Sequence, residues 1–202
     1  MNQKLSGQKI VIATHNKGKL EEFRQLFAPH GVNVVSAGEM GLPEPVETEN
    51  TFAGNARLKA EAAMQATGLI SLSDDSGLCV DALNGDPGVY TADWAGPSRD
   101  WMMAMRLVEE KLQAAGAISP AQRTASFNCT LCVIWPGGEE RLFEGKAQGH
   151  LTWPPRGEFG HGYDPVFVPE GENVSFAEMS HEKKNSLSHR ARALEKLFAA
   201  LF

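Results

Sequence analysis

"KIVIATHNKGKLEEFRQLFAPHG", residues 9–31, carries a strand, a polar turn and a helix in one run. Residues 9–14 are apolar and β-branched, the pattern of a short buried strand. "LEEFRQLFAPHG" then sets Leu20, Phe23 and Phe27 on one helical face, with Pro29 and Gly31 as its stop. Further on, "NVVSA" (33–37) reads as a second strand and the Ala-rich "TFAGNARLKAEAAMQATG" (51–68) as a second helix stopped by Gly68. "LISLS" (69–73) reads as a third strand, expected to end at Asp74 and Asp75. Strand and helix alternating in this way predict an α/β sheet.

The second half is looser. Residues 84–98 form a loop, and Ser98 is the expected cap of a helix over about residues 99–115. "RTASFNCTLCVIW" (123–135) and "EERLFEGKAQGHL" (139–151) read as a hairpin turning at Pro136, Gly137 and Gly138. A Gly/Pro-rich loop (152–165) precedes the strand "VFV" (166–168). Residues 186–202 read as one amphipathic helix with Leu187, Ala191, Leu194 and Phe198 on one side. No internal repeat or long linker interrupts the chain, so one domain over residues 1–202, in two lobes, is the expectation.

Composition narrows the function classes. A content of 42% hydrophobic and 22% charged residues is that of an ordinary globular protein. No apolar run approaches the roughly 20 residues of a membrane span. The first residues lack a signal-peptide pattern, so a cytoplasmic protein with no membrane partner is expected. The three cysteines (Cys79, Cys129, Cys132) cannot all pair with one another, which suits a reducing compartment. Cys129 and Cys132 fall within a strand pattern and read as core, as do the Met and Trp residues of "DWMMAM" (100–105). A net charge of −6 argues against nucleic acid as a partner. An acidic protein can still take a small polyphosphate if its cations are gathered locally.

Five stretches could do so. In "THNKGK", Thr14 and Asn16 offer hydrogen-bond groups and Lys17 and Lys19 offer charge where a strand turns into a helix, a position that suits an anion. The spacing is not that of a Walker A loop, and a solvated helix start is the plain alternative. In "ETENTF", Glu47 and Glu49 precede a helix, where acidic residues are favoured in any case. Mg²⁺ prefers carboxylate and phosphate oxygens together, so Glu47 could share an ion with the aspartates of "SDDSG". Side chains alternate along a strand, so only one of Asp74 and Asp75 can face a given cleft. That one could hold Mg²⁺ or take a proton from water; spacing does not say which. In "HGYDP", Tyr163 could stack on a base and Asp164 accept from its ring N–H groups, or the stretch could be a simple turn. "HEKKNSLSHR" gathers His181, Lys183, Lys184, His189 and Arg190, either a solvated face or a site for phosphate or a purine carbonyl.

In order, "ATHNKGKLEEF", "ETENTFAGNARLKA", "SDDSGLCVDALNGDPGVYTADWAG", "GHGYDPVF" and "SHRARAL" resemble the inosine triphosphatase family over nearly the whole chain. The resemblance implies Mg²⁺-dependent hydrolysis of deaminated purine nucleoside triphosphates (ITP, dITP, XTP) to the monophosphate and pyrophosphate. It also implies an elongated two-lobed α/β fold around a mixed sheet, with a substrate cleft between the lobes, and a homodimer. By position, Thr14, His15, Asn16, Lys17, Gly18 and Lys19 would bind the triphosphate, and Glu47 and Asp75 the metal. Asp75 would also be the proton acceptor, with Ser76 contacting substrate. His161, Gly162, Tyr163 and Asp164 would form the base-side loop, and Lys184, His189 and Arg190 the remaining nucleotide contacts. The chain departs at His161, where many members carry Phe, and at His15, where Gly is common. A role for Asp74 is left open. So are two rival functions: a pyrophosphatase for other modified nucleotides, and a nucleotide-binding regulator without turnover.

Overall fold

Ile10, Val11 and Ile12 have no exposed surface, and they form β1 (Lys9–Ile12), two residues shorter at its end than the apolar run. Asn16 caps the helix that follows, α1 (Lys17–Phe27): its extended backbone lets Oδ1 accept from the Lys19 N–H at 3.1 Å. The face that spacing predicted, Leu20, Phe23 and Phe27, is the one buried. β2 (Asn33–Ser36), α2 (Phe52–Thr67) and β3 (Ile70–Val80) complete the first half. Thr51 caps α2, and Gly68 closes it in the left-handed conformation at φ 66°. The computed structural model describes residues 4–202.

Next come α3 (Trp101–Ala114), β4 (Thr124–Ile134), β5 (Glu140–Leu151), β6 (Phe167–Pro169), α4 (His181–Leu187) and α5 (His189–Leu201). The six strands form one mixed sheet in the order β2-β1-β3-β4-β5-β6. β1 runs parallel to both β2 and β3, with Ile12 opposite Ser36 on one side and Leu72 on the other, while β6 is antiparallel to β5. The chain steps one way from β1 to β2 and the other way from β2 to β3. Right-handed crossovers therefore place α1 and α2 on opposite faces of the sheet.

Three local expectations are corrected. β3 does not end at the aspartates but continues to Val80, because Leu78 and Val80 are fully buried and carry the strand onward. The cap of α3 is Asp100, whose Oδ1 accepts from the Met103 N–H at 2.9 Å; Ser98 is not the cap. The final helix is two helices, since Ser188 adopts extended backbone at ψ 154° and stops α4. The buried residues of α5 are Ala193, Leu194, Leu197 and Leu201, with Phe198 half-buried against Phe27 and Phe202.

Packing groups the residues into two compact units. One holds the described residues up to Asp75 together with Thr130–Glu144 and Ala193–Phe202; the other holds Ser76–Cys129 and Gly145–Arg192. In the first, Ile10, Ile12, Leu20, Phe23, Phe27 and Leu72 are buried, and Ala56 and Ala60 pack with Cys132 and Ile134. In the second, Leu112, Phe127, Tyr163, Phe167 and Phe176 belong to one core, and the ion pair of Glu109 with Arg123 is buried too. Met105 joins that core, whereas Met102 and Met103 are exposed, so only part of "DWMMAM" is packing. Among the described residues, no helix is long and apolar enough to cross a membrane.

Phe167 is fully buried and in ring contact with Phe127 and Phe176. Phe167→Ala should cost about 3–5 kcal/mol. At roughly 2–4 °C per kcal/mol this lowers Tm by on the order of 10 °C, measured by scanning calorimetry. Phe159 is exposed, and Phe159→Ala should change stability by less than about 0.5 kcal/mol.

Candidate active site

Asp74 and Asp75 lie at 5% and 8% exposure, so two adjacent like charges are buried inside a continuous strand. Alternation along β3 sends them to opposite faces, and each meets a lysine from a different helix. Lys19, on α1, donates to both Asp74 oxygens, at 3.0 and 2.8 Å. Lys59, on α2, donates to Asp75 Oδ1 at 2.9 Å. Ser73, two residues before Asp75 and on the same face, donates to the Ala56 carbonyl of α2, which ties that face to the helix.

The same ammonium of Lys59 donates to Glu47 Oε1 at 2.6 Å. Glu47 itself is exposed, on the loop before α2. Asn55, buried at 2% exposure, steadies that loop by accepting from the Glu49 N–H at 3.0 Å through Oδ1. Asn55 and Lys59 stand four residues apart on one face of α2, so a single helix holds the loop and the carboxylates. Gly54 is needed there, because a Cβ would come within 2.6 Å of Glu49 Cβ.

Asp75 is only half satisfied: Oδ2 is buried without a hydrogen-bond partner. Burial pushes its carboxyl up to about 6; the Lys59 charge works against that rise and the Glu47 charge adds to it. A carboxyl in that range can take up a proton close to neutral pH, which an ordinary aspartate near 4 does poorly. For Lys59, burial opposes the charged form, but Asp75, Glu47 and Asp74 outweigh it and hold the ammonium above its usual value.

The rest of the first cluster is a turn at the end of β1. Thr14 is buried and its Oγ1 accepts from the Asn16 N–H at 3.1 Å. His15 donates through Nε2 to the Leu42 carbonyl at 2.7 Å. Lys17 and Gly18 are exposed. Ile12 is opposite Leu72, so this turn and the aspartates both lie beyond the carboxyl end of β1, where the connections to β2 and β3 diverge. Ligands of open parallel sheets gather at such a point.

The second unit holds the other candidates. Ser76 is half-buried on β3, directly after Asp75. His161 is exposed and Gly162 takes a left-handed φ of 65°. Tyr163 differs from expectation: at 1% exposure its ring meets Trp101 edge-on at 5.7 Å and its hydroxyl reaches the Thr91 carbonyl. Its ring is core, not a stacking platform, and burial drives its hydroxyl pKa upward. Asp164 is buried as well. Its Oδ2 accepts from the His161 N–H at 2.6 Å and from Lys184 Nζ at 2.5 Å, so that oxygen already serves the loop and a lysine. Gly160 leaves room for it, since a Cβ there would lie 2.2 Å from the same oxygen. His189, the first residue of α5, stacks on Phe127 at 5.1 Å, and Arg190 follows it half-buried.

Sequence reasoning did not single out Lys59 or Asn55. Both sit in "GNARLKA", and their four-residue spacing beside the carboxylate loop is the signal that could have found them. Among the described residues, no group of three or more His, Cys, Asp or Glu is placed to hold a metal by itself. Glu47 and the open oxygen of Asp75 are hard donors suited to a divalent cation that completes its shell with water and phosphate oxygens. An ammonium already bridges the two carboxylates, so a cation is at home there.

Comparison with known proteins agrees with the resemblance read from the motifs. The model of the Ham1 family matches residues 10–200. A dITP/XTP pyrophosphatase of Ruegeria pomeroyi is 58% identical, covering 100% of this chain and 99% of its own. One of Gluconobacter oxydans is 55% identical over 96% of this chain and 91% of its own. The solved structure of a HAM1 protein from Coxiella burnetii superposes with a TM-score of 0.90 at 36% identity, covering 96% of this chain and 98% of that one. With the matched model spanning nearly its whole length, the chain belongs to the Ham1 family.

Proposed function

We propose that the protein is a nucleoside-triphosphate pyrophosphatase acting on non-standard purine nucleotides (ITP, dITP, XTP), and that residues 1–202 serve as one catalytic domain. The observation that carries the reading is Asp75: buried, held through one oxygen by Lys59 and open at the other, with burial pushing its carboxyl up to about 6. The names of the full-length relatives, dITP/XTP pyrophosphatase, support the substrate class and the bond that is cut.

Water attacks the α-phosphorus, a new P–O bond forms, and the bond from that phosphorus to the oxygen bridging the β-phosphorus breaks. Pyrophosphate leaves and the monophosphate remains. Asp75 orients the water and takes its proton. Thr14, His15, Asn16, Lys17, Gly18 and Lys19 bind the triphosphate, with the start of α1 supplying N–H groups and a positive dipole end. Lys19 is fixed by Asp74, so its charge stays in place through turnover. Glu47 and Asp75 hold Mg²⁺, which when bound screens phosphate charge and polarises phosphate oxygens. Ser76, His161, Gly162, Asp164, Lys184, His189 and Arg190 contact the nucleoside side of the substrate, and Tyr163 supports their loop from the core. A site that donates to a 6-oxo group leaves those donors unpaired opposite a 6-amino group, which disfavours ATP. The reading includes a cytoplasmic homodimer, supported by the family resemblance.

The test is turnover of ITP, dUTP, GTP and ATP with Mg²⁺, measuring pyrophosphate against orthophosphate. Pyrophosphate from ITP, with little from the other three, is expected. Orthophosphate release, or no turnover, would refute the assignment. Asp75→Asn should lower kcat by about 10²–10⁴-fold, the usual scale for a general base, while the protein stays folded by circular dichroism. Chelation with EDTA should abolish turnover and excess Mg²⁺ should restore it; full activity in EDTA would remove the metal from the reaction.

A further inference from the structure

Glu47 and Asp75 already share a cation, and it is part of the chain. Lys59 Nζ lies 2.6 Å from Glu47 Oε1 and 2.9 Å from Asp75 Oδ1, so one ammonium bridges both carboxylates. We propose that Lys59 is a resident competitor for the divalent ion: it holds the two carboxylates before nucleotide arrives and releases them when the metal binds. This rests on reading Glu47 and Asp75 as the metal-binding pair.

Geometry supplies the first argument. A small divalent ion contacts carboxylate oxygens at about 2.0–2.1 Å, and an ion on the open oxygen of Asp75 that also drew in Glu47 would need the Glu47 oxygen that the ammonium holds at 2.6 Å. Charge supplies the second. Two carboxylates and one ammonium leave the cluster one unit negative. A divalent ion would neutralise the carboxylates alone, and a retained ammonium would then face it as a like charge. The Lys59 and Asp75 side chains are only 12% and 10% exposed, so water screens that repulsion poorly. Reach supplies the third. Lys59 has a flexible four-carbon stem, and it lines a mostly apolar cavity with Ala13, His15, Ala37, Leu42 and Ala63, so the side chain has room to swing.

Displacement leaves a released ammonium that must find another anion, and a polyphosphate brings one. Metal affinity is therefore held low in the free enzyme and rises when nucleotide is present. By linkage, nucleotide affinity rises with metal by the same factor.

The experiment titrates the full chain with Mn²⁺ alone, by electron paramagnetic resonance, for wild type, Lys59→Met, Lys59→Arg and Glu47→Gln. Lys59→Met should bind Mn²⁺ on the order of tenfold more tightly than wild type. Lys59→Arg, which keeps the charge, should not tighten binding, and Glu47→Gln should weaken it. Equal or weaker binding by Lys59→Met, or tightening by Lys59→Arg, overturns the competitor role. If Glu47→Gln binds as wild type does, the metal assignment itself fails. Lys59→Met leaves Asp75 unpaired and can lose stability, so Tm is read with and without Mn²⁺. Its rise on adding the ion should exceed that of wild type. An equal or smaller rise also overturns the proposal.

Discussion

Two neighbouring carboxylates buried in one strand repel each other and lose water, and everything around them is arranged to answer that. Each needs its own cation, and a strand points neighbouring side chains to opposite faces, so one lysine cannot serve both. The order β2-β1-β3 resolves the problem, because right-handed crossovers put α1 on one face and α2 on the other. Lys19 answers Asp74 and Lys59 answers Asp75. Removing one partner of a buried ion pair costs on the order of 3–5 kcal/mol, comparable to a large core truncation. The site and the topology are therefore one constraint.

The two pairs are not equivalent. Lys19 contacts both oxygens of Asp74, which leaves that carboxylate little freedom to do anything else. Lys59 contacts one oxygen of Asp75 and divides itself with Glu47, so Asp75 keeps one buried oxygen open. A half-satisfied carboxylate is poorly stabilised as an anion, and this is why burial can raise its proton affinity. Asp164, also buried, is answered by a lysine too, but there Lys184 and the His161 N–H meet on one oxygen and brace a glycine-rich loop.

Elements set by apolar period were legible in the sequence: β1, α1, β2 and α2 follow from the spacing of Ile, Phe and Ala, and Gly68 stops α2, whereas α1 ends at Phe27 and Gly31 closes the single tight turn of residues 28–30 after it. Features set by tertiary partners were not. "DDSG" reads as a turn by local chemistry, yet the strand continues because Leu78 and Val80 enter a core that no local rule reveals. Tyr163, in a run of glycines, looks available, but Trp101 from a distant helix covers its ring. Lys59 looks like one more solvated lysine on an Ala-rich helix, since its two partners are remote in the chain or on an exposed loop. Motif order points to Asp75 and Glu47, whereas the lysine that joins them shows only in the folded chain.

The alanines of α2 then acquire a reason. Ala56, Ala60 and Ala63 are the apolar residues that this helix buries, where leucine would be the usual choice for a stable core. Leucine would bury more apolar area but would hold the helix away from the sheet. With alanine the approach is close enough for Ser73, a strand side chain, to donate directly to the Ala56 carbonyl. At that separation a lysine on the flank of the alanine stripe reaches both Asp75 on the strand and Glu47 on the loop. A wider gap would leave Asp75 buried without its cation, at a cost on the order of 3–5 kcal/mol. Core packing here is subordinate to the electrostatics it must permit.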